Sequence, residues 1–162
     1  MNILVEGPDC TGKSTLIRHL QDRYNLEYLH LKRINQDVWE FYDDFCSKEY
    51  NNTVFDRGYI SNIVYSTVFG DSKVLKPEQQ AYFQDQVDVI IVCLPEDKSR
   101  YLKHFEKHKQ IRHEDYDVMD IVYDEFREFI TDSVIRFDIF RSNNDFKEID
   151  DEIDLRCRAR VS

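Results

Sequence analysis

Two glycines stand five positions apart near the start of the chain, in the stretch ILVEGPDCTGKSTL at residues 3–16. Glycine is scarce elsewhere, with 4 in 162 residues. Gly7 and Gly12, followed by Lys13 and Ser14, fit the pattern G-x-x-x-x-G-K-[ST]. A loop of this kind between a strand and a helix turns its backbone N–H groups inward, as a nest for phosphate oxygens. The spacing therefore predicts a phosphate-binding loop, which constrains the chain to an α/β fold.

The side chains after the second glycine suit a nucleoside triphosphate. Lys13 would place a point charge on the β- and γ-phosphates, and the Ser14 hydroxyl would ligate magnesium. We therefore expect ATP and Mg²⁺ as ligands. The residues predicted to bind them are Gly7, Cys10, Thr11, Gly12, Lys13, Ser14 and Thr15.

Short apolar runs alternate with helical periodicity along the rest of the chain. The apolar runs predict strands at 2–6, 26–31, 53–56, 87–94 and 134–140. Helical patterns cover 13–24, 35–50, 58–69, a segment from 77, 96–108, 115–130 and a tail from 145. Such alternation indicates a parallel sheet with right-handed crossovers. We expect one domain over residues 1–162 with a three-layer P-loop NTPase fold: a five-stranded parallel sheet, flanking helices and a helical lid.

Composition and charge limit the classes of function. A hydrophobic content of 41% favours a globular protein, and no apolar run reaches the roughly 18 residues of a membrane span. The N-terminus does not resemble a signal peptide, and four scattered cysteines indicate reduced thiols, so we expect a cytoplasmic protein. A net charge of −10 makes the chain a poor default binder of long nucleic acids. Residues 98–113 carry six Lys or Arg and one acid, which suits a small anionic ligand or a solvated helix face.

A second motif follows the predicted strand at 53–56, which ends in Asp56 and is followed by Arg57. The strand places both side chains at the carboxyl end of the sheet, near the glycine-rich loop. Asp56 could hold a magnesium-bound water there, or it could cap the next helix. Arg57 could face an anionic ligand. Beside a phosphate-binding loop, we favour the metal-binding interpretation of Asp56.

The glycine-rich loop alone does not name a reaction, because kinases, GTPases and motor ATPases share it. The guanine-reading motif N-K-x-D is absent, which argues against a GTPase switch. The short acidic chain argues against a DNA-translocating motor. A small kinase is the class that remains.

Three segments together resemble the thymidylate kinase family. E-G-P-D at 6–9 is similar to the E-G-x-D opening of that family, and D-R-G-Y-I-S at 56–61 is similar to its D-R-x-x-x-S motif. IRHEDYD at 111–117 resembles its lid segment, which here would span about 104–117. The resemblance extends from residue 2 to about residue 140. It implies phosphate transfer from ATP to a deoxynucleoside monophosphate, dTMP above all, and it suggests a homodimer.

The resemblance also implies roles for individual residues. Arg33 occupies the position that binds the acceptor phosphate, and Asp9 resembles the carboxylate that accepts a hydrogen bond from the acceptor 3′-hydroxyl. Tyr59 is our candidate to stack on the base, and Glu114 would hinge or lock the lid together with Tyr116.

The acceptor decides what catalysis requires. A monophosphate is already an anion at neutral pH, so the enzyme needs cations that neutralise two repelling phosphates, not a general base. We assign this work to Lys13, Arg57 and Arg112, with Asp9 beside them. A hydroxyl acceptor, on a deoxynucleoside or on a modified pyrimidine base in DNA, would need a base, for which Glu6 is a candidate. A nucleotide-binding module without catalysis is a third hypothesis.

The role of Arg112 gives a direct test. Relatives whose loop lacks a basic residue use a lid arginine over the transferring group, and loop positions 8–11 hold none here, so the resemblance implies this role for Arg112. The alternative is a surface arginine between two helices. Arg112→Ala should lower kcat by about 10²-fold or more with a modest loss of ATP affinity, because the charge matters most in the transition state. Steady-state kinetics measures both quantities, and an unchanged kcat would remove Arg112 from the mechanism.

Overall fold

The computed structural model describes residues 1–31, 45–70, 74–108, 116–143 and 145–161. Neighbouring strands in its sheet are all parallel, in the order β2-β3-β1-β4-β5. This confirms the predicted five-stranded parallel sheet of an α/β fold. The strands are β1 (Asn2–Glu6), β2 (Glu27–His30), β3 (Thr53–Asp56), β4 (Val89–Cys93) and β5 (Ile135–Phe137).

Helices connect these strands, so the described chain alternates as predicted. The helices are α1 (Lys13–Tyr24), α2 (Tyr59–Phe69), α3 (Pro77–Gln86), α4 (Lys98–His108), α5 (Tyr116–Arg127), α6 (Ile139–Ser142) and α7 (Lys147–Val161). Within the described ranges, no helix is both long and apolar enough to span a membrane. Most of the helix predicted at 35–50 lies outside the described residues, as does the centre of the predicted lid.

One predicted strand is partly wrong. The apolar run at 134–140 forms β5 only over Ile135–Phe137, and α6 begins two residues later. The reason is local, because the Asp138 carboxylate accepts a hydrogen bond from the Phe140 backbone N–H at 2.8 Å. This is the bond that an N-cap residue makes, and it ends the extended conformation.

Two apolar cores cover the two faces of the sheet, which gives the three layers. Alternate residues of β1 point to opposite faces: Ile3 and Val5 to one core, Leu4 to the other. The first core is closed by α1 and α7, through residues such as Leu16 and Ile153. The second core, which is larger, is closed by α2, α3, α4 and α5.

The pairing of β1 positions the candidate site. Val5 pairs with Asp56 on one side, and Glu6 pairs with Val92 on the other. The backbone N–H of Arg57 continues this pairing with a 2.9 Å bond to the Val5 carbonyl. The glycine-rich loop therefore leaves the sheet at its centre, directly beside the Asp56–Arg57 pair.

The larger core should depend strongly on Phe83, which is fully buried on α3 with its ring 4.8 Å from that of Phe45 and 5.6 Å from that of Phe55. Phe83→Ala should lower the free energy of unfolding by about 3–5 kcal/mol, because it leaves a cavity among these rings. Phe69, whose ring is 51% exposed, provides the matched control. Phe69→Ala should cost less than about 1 kcal/mol in the same urea titration. Equal losses in the two variants would contradict this account of the core.

Candidate functional site

The glycine-rich loop has a backbone that its two glycines make feasible. Gly7 has φ of 137° and Gly12 has φ of 82°, both in the region that residues with a side chain avoid. A Cβ on Gly7 would overlap the Cys93 carbonyl oxygen, and one on Gly12 would overlap the Ile139 side chain. The loop therefore packs closely between the end of β4 and α6. This explains why glycine is needed at both positions.

Side chains inside and beside the loop hold its shape. The Thr11 hydroxyl donates to the Pro8 carbonyl at 2.8 Å, and the buried Lys13 ammonium reaches the same carbonyl at 3.4 Å. The Tyr101 hydroxyl, from α4, donates to the Asp9 carbonyl at 3.0 Å. Burial lowers the pKa of Lys13, and the nearby Arg57 charge lowers it further. An anion bound in the loop would relieve both effects.

Ser14 and Thr15 begin α1 as exposed residues, so the helix N-terminus opens to solvent at the loop. Backbone N–H groups at such a terminus have no partner within the helix and favour anions. Together with the Lys13 ammonium, they form a site that suits a phosphate group. The predicted roles of these residues toward ATP remain predictions.

Asp56 lies at the end of β3, buried beside this loop. Its Oδ2 atom accepts hydrogen bonds from the Tyr28 hydroxyl at 2.9 Å and from His30 Nδ1 at 2.8 Å. Its Oδ1 atom is buried and has no hydrogen-bond partner among the described residues. A buried carboxylate oxygen without a donor is costly, and a metal-bound water would satisfy it. The unpartnered Oδ1 atom of Asp56 therefore fits the water of a bound magnesium ion, and the predicted role of Ser14 in holding that ion stays a prediction.

The alternative that Asp56 caps the following helix is wrong. Glu6, fully buried at the end of β1, fills that role instead. Its carboxyl group accepts hydrogen bonds from the backbone N–H of Ile60 at 3.1 Å and of Ser61 at 3.3 Å, and it contacts the Ser61 hydroxyl. Glu6 therefore ties the strand before the loop to the first turn of α2. The sequence reasoning missed this link, although both segments belong to the quoted motifs.

Burial also raises the pKa of Glu6 to about 7, against the opposing effect of the hydrogen bonds from Ser61. Glu6 is the residue that the sequence offers as a base for a hydroxyl acceptor. With no exposed surface and its oxygens engaged by α2, it is placed as a structural carboxyl rather than one that touches a substrate.

Arg57 and Asp9 are in contact. The sequence predicts that both belong to the same site. Arg57 Nη2 lies 2.6 Å from Asp9 Oδ1, and its guanidinium lies 5.2 Å from the centre of the Tyr65 ring. The backbone of Arg57 has φ of 70°, a conformation rare for residues other than glycine. Strain of this kind is usually retained where a side chain must be aimed at a site. Here the guanidinium contacts Asp9, a residue of the glycine-rich loop.

The described part of the structure does not place the other predicted site residues beside the glycine-rich loop. Tyr59 is 6% exposed and packs in the larger core, with its ring 5.8 Å from that of Phe83. That position is typical of a core residue, and its predicted stacking on a base stays untested. Arg33, Arg112 and Glu114 lie outside the described residues. The described residues contain no cluster of three His, Cys, Asp or Glu that could hold a metal ion.

The similarity of this chain to known proteins supports its fold more strongly than it supports any one function. No family model matches the chain. The SPbeta prophage-derived uncharacterized protein YorR of Bacillus subtilis is 28% identical over 91 residues, which are 52% of this chain. The match spans about half of YorR, 54% of its length.

Solved structures resemble the chain over most of its length. The crystal structure of YorR in complex with phosphorylated GDP has a TM-score of 0.74 at 22% identity and covers 98% of both chains. Deoxyadenosine kinase from M. mycoides with bound dCTP has a TM-score of 0.58 at 16% identity, covering 98% of this chain and 100% of that one. Thymidylate kinase from Candida albicans has a TM-score of 0.54 at 17% identity, covering 85% and 83%. The chain thus shares its fold with P-loop kinases that act on nucleosides and nucleotides.

The buried Glu6 carboxyl should make stability depend on pH. Its pKa of about 7, against 4.5 for a free glutamate, means that the folded protein binds the proton more tightly than the unfolded chain. Below about pH 4.5, this tighter proton binding adds at most roughly 3 kcal/mol to the free energy of unfolding. The added stability is lost as the pH rises to about 7. In Glu6→Gln, the free energy of unfolding should therefore fall less between pH 4.5 and pH 8 than in the wild type.

Urea unfolding at several pH values measures this difference. The exposed Glu27 provides the control, because Glu27→Gln should keep the wild-type pH profile. A Glu6→Gln profile parallel to that of the wild type would show that Glu6 does not titrate in this range.

Proposed function

We propose that this protein is an ATP-dependent kinase that phosphorylates a deoxynucleoside monophosphate, with dTMP and ATP giving dTDP and ADP. The observation that carries the proposal is the placement of the Arg57 guanidinium and the Asp9 carboxylate, 2.6 Å apart, beside the glycine-rich loop and Lys13. Phosphate transfer between two anions needs cations held in place rather than a general base. This site supplies fixed cations.

The donor would lie on the glycine-rich loop. Its phosphates would accept from the backbone N–H groups between Gly7 and Thr15, and the Lys13 ammonium would leave the Pro8 carbonyl to contact them. Ser14 and Asp56 would hold the magnesium ion, for which the unpartnered Oδ1 atom offers a place. Magnesium bound there would neutralise charge on the donor phosphates.

The acceptor would lie on the other side of Arg57. The pairing of Arg57 with Asp9 supports the proposal that these two residues meet the acceptor together, Asp9 at its 3′-hydroxyl and Arg57 at its phosphate. Arg33 would bind the same phosphate, Tyr59 would contact the base, and Arg112 and Glu114 would act from the lid. These four roles rest on the sequence alone.

The buried position of Glu6 favours a phosphate acceptor over a hydroxyl acceptor. A hydroxyl must lose a proton during transfer, so its kinase needs a base within hydrogen-bond reach of the substrate. The Glu6 carboxyl group is not within hydrogen-bond distance of a substrate hydroxyl, because its oxygens contact Ile60 and Ser61. Asp9, whose side chain is 61% exposed, is the carboxylate that could serve a hydroxyl acceptor instead. Phosphorylation of a deoxynucleoside or of a modified base in DNA is therefore the second candidate.

Three broader expectations belong with the proposal. We infer that residues 1–162 act as one domain, that the protein works in the cytoplasm, and that it forms a homodimer. Its partners would be small nucleotides, and neither membranes nor long nucleic acids are needed for the reaction.

A panel of acceptors tests the reaction directly. ADP release from ATP and magnesium would be measured with dTMP, dUMP, dCMP, dGMP, thymidine and single-stranded DNA. GTP would be included as a donor, because the YorR structure holds phosphorylated GDP. We expect turnover with a pyrimidine monophosphate and none with thymidine, because the site has cations for a phosphate and no accessible Glu6.

Lys13→Ala is the control that separates turnover by this protein from turnover by a contaminating enzyme. Loss of the Lys13 ammonium should abolish turnover by this protein. Turnover only with thymidine or DNA would overturn the monophosphate proposal and direct attention to Asp9 as a base. Tight ATP binding without turnover on any acceptor would leave a binding module as the function.

A further inference from the structure

The two oxygens of the Asp56 carboxylate have unequal surroundings. Oδ2 receives two donors, from Tyr28 and His30, whereas Oδ1 is buried and receives none from the described residues. Two donors on one oxygen fix the rotation of the carboxylate group about its own axis. The orientation of Oδ1 is thereby set by residues that do not touch it.

The two donors come from the edge strand β2. Tyr28 and His30 are two positions apart, so their side chains lie on the same face of the sheet. His30 pairs in register with Asp56, and His30 Nδ1 also lies 3.2 Å from the Tyr28 hydroxyl. Because a carboxylate only accepts hydrogen bonds, Nδ1 of His30 carries the hydrogen in this contact.

These side-chain bonds are not needed to attach the strand. Backbone pairing already joins β2 to β3 over four positions, from Glu27 with Thr53 to His30 with Asp56. Tyr28 remains 49% exposed, so its ring contributes little to the core. The specific feature of Tyr28 is its hydroxyl, which reaches Asp56.

Asp56 also lies close enough to the glycine-rich loop to act on it. Burial lowers the pKa of Lys13, while the Asp56 charge is among those that oppose this shift. The unpartnered Oδ1 atom is therefore a buried acceptor in the electrostatic neighbourhood of the phosphate-binding lysine. A hydrated cation bound at Oδ1 would satisfy it.

We propose that Tyr28 and His30 are positioning residues for the metal: they hold Oδ2 of Asp56 so that Oδ1 faces the hydration shell of magnesium. The inference rests on the proposed function, because it requires a magnesium–nucleotide complex on the loop. Residues that orient a metal-binding group commonly change metal affinity by about 10- to 100-fold when they are removed. Tyr28 and His30 should therefore set how strongly magnesium enhances nucleotide binding, without setting nucleotide binding itself.

Calorimetric titration of ADP, once with magnesium and once with EDTA, measures this enhancement as the ratio of the two Kd values. In Tyr28→Phe and His30→Ala, the ratio should fall by about tenfold while the Kd in EDTA stays at the wild-type value. His30→Asn should retain most of the ratio, because its amide can place an N–H donor near the position of Nδ1. Thermal unfolding checks that each variant is folded.

Tyr82→Phe is the matched control. The Tyr82 hydroxyl donates to the Lys48 carbonyl at 2.8 Å, a bond that involves none of the residues assigned to the site, so its loss should change neither Kd. A ratio that stays at the wild-type value in Tyr28→Phe and His30→Ala would overturn the inference. So would an equal weakening of binding with and without magnesium, since that is the mark of a purely structural role.

The wild type separates this inference from the proposed function. If the wild type binds ADP and magnesium strengthens the binding, the nucleotide site stands whatever the variants do. If the wild type does not bind ADP at all, the proposed function fails and this inference fails with it.

Discussion

The parallel pairing of β1 with both β3 and β4 is the constraint on which the site depends. Because the carboxyl ends of parallel strands meet at one edge, the loop after β1 leaves the sheet next to the residues that end β3. The backbone bond from Arg57 to Val5 then carries the pairing one residue beyond the strand. Two segments about fifty residues apart in the chain thus become one site, and a shift of register would separate them.

Charged side chains of both signs cluster at this edge, and all of them except Asp9 are largely buried. Lys13 and Arg57 are cations, and Asp9, Asp56 and Glu6 are acids, each close to another member of the group. A buried charge is tolerated when it is paired or hydrogen-bonded, and the unpaired form is costly. Glu6 differs from the others because burial dominates its surroundings and favours its protonated form. The same burial that suits a structural link to α2 removes it from chemistry on a substrate.

The fold by itself leaves the acceptor open. The solved structures that resemble this chain include a thymidylate kinase and a deoxyadenosine kinase, both at less than 20% identity. One fold therefore occurs in kinases with different names and substrates, and the fold does not decide the acceptor. The proposal of a phosphate acceptor rests on the Arg57–Asp9 pair, in which Asp9 is exposed, together with the inaccessible Glu6. The two candidate reactions differ most in the role that they give to Asp9.

The sequence by itself determined the position of the glycine-rich loop, the alternation of strands and helices, and the placement of Asp56 at the end of a strand. These features are local, since glycine spacing and apolar periodicity act within a few residues. Only the tertiary structure decided the partners of the acidic side chains: Glu6 with α2, Asp9 with Arg57, and Asp56 with Tyr28 and His30. Each of these contacts joins segments that are distant in the chain or lie on different strands. The order and register of the strands create them, and neither can be read from a local pattern.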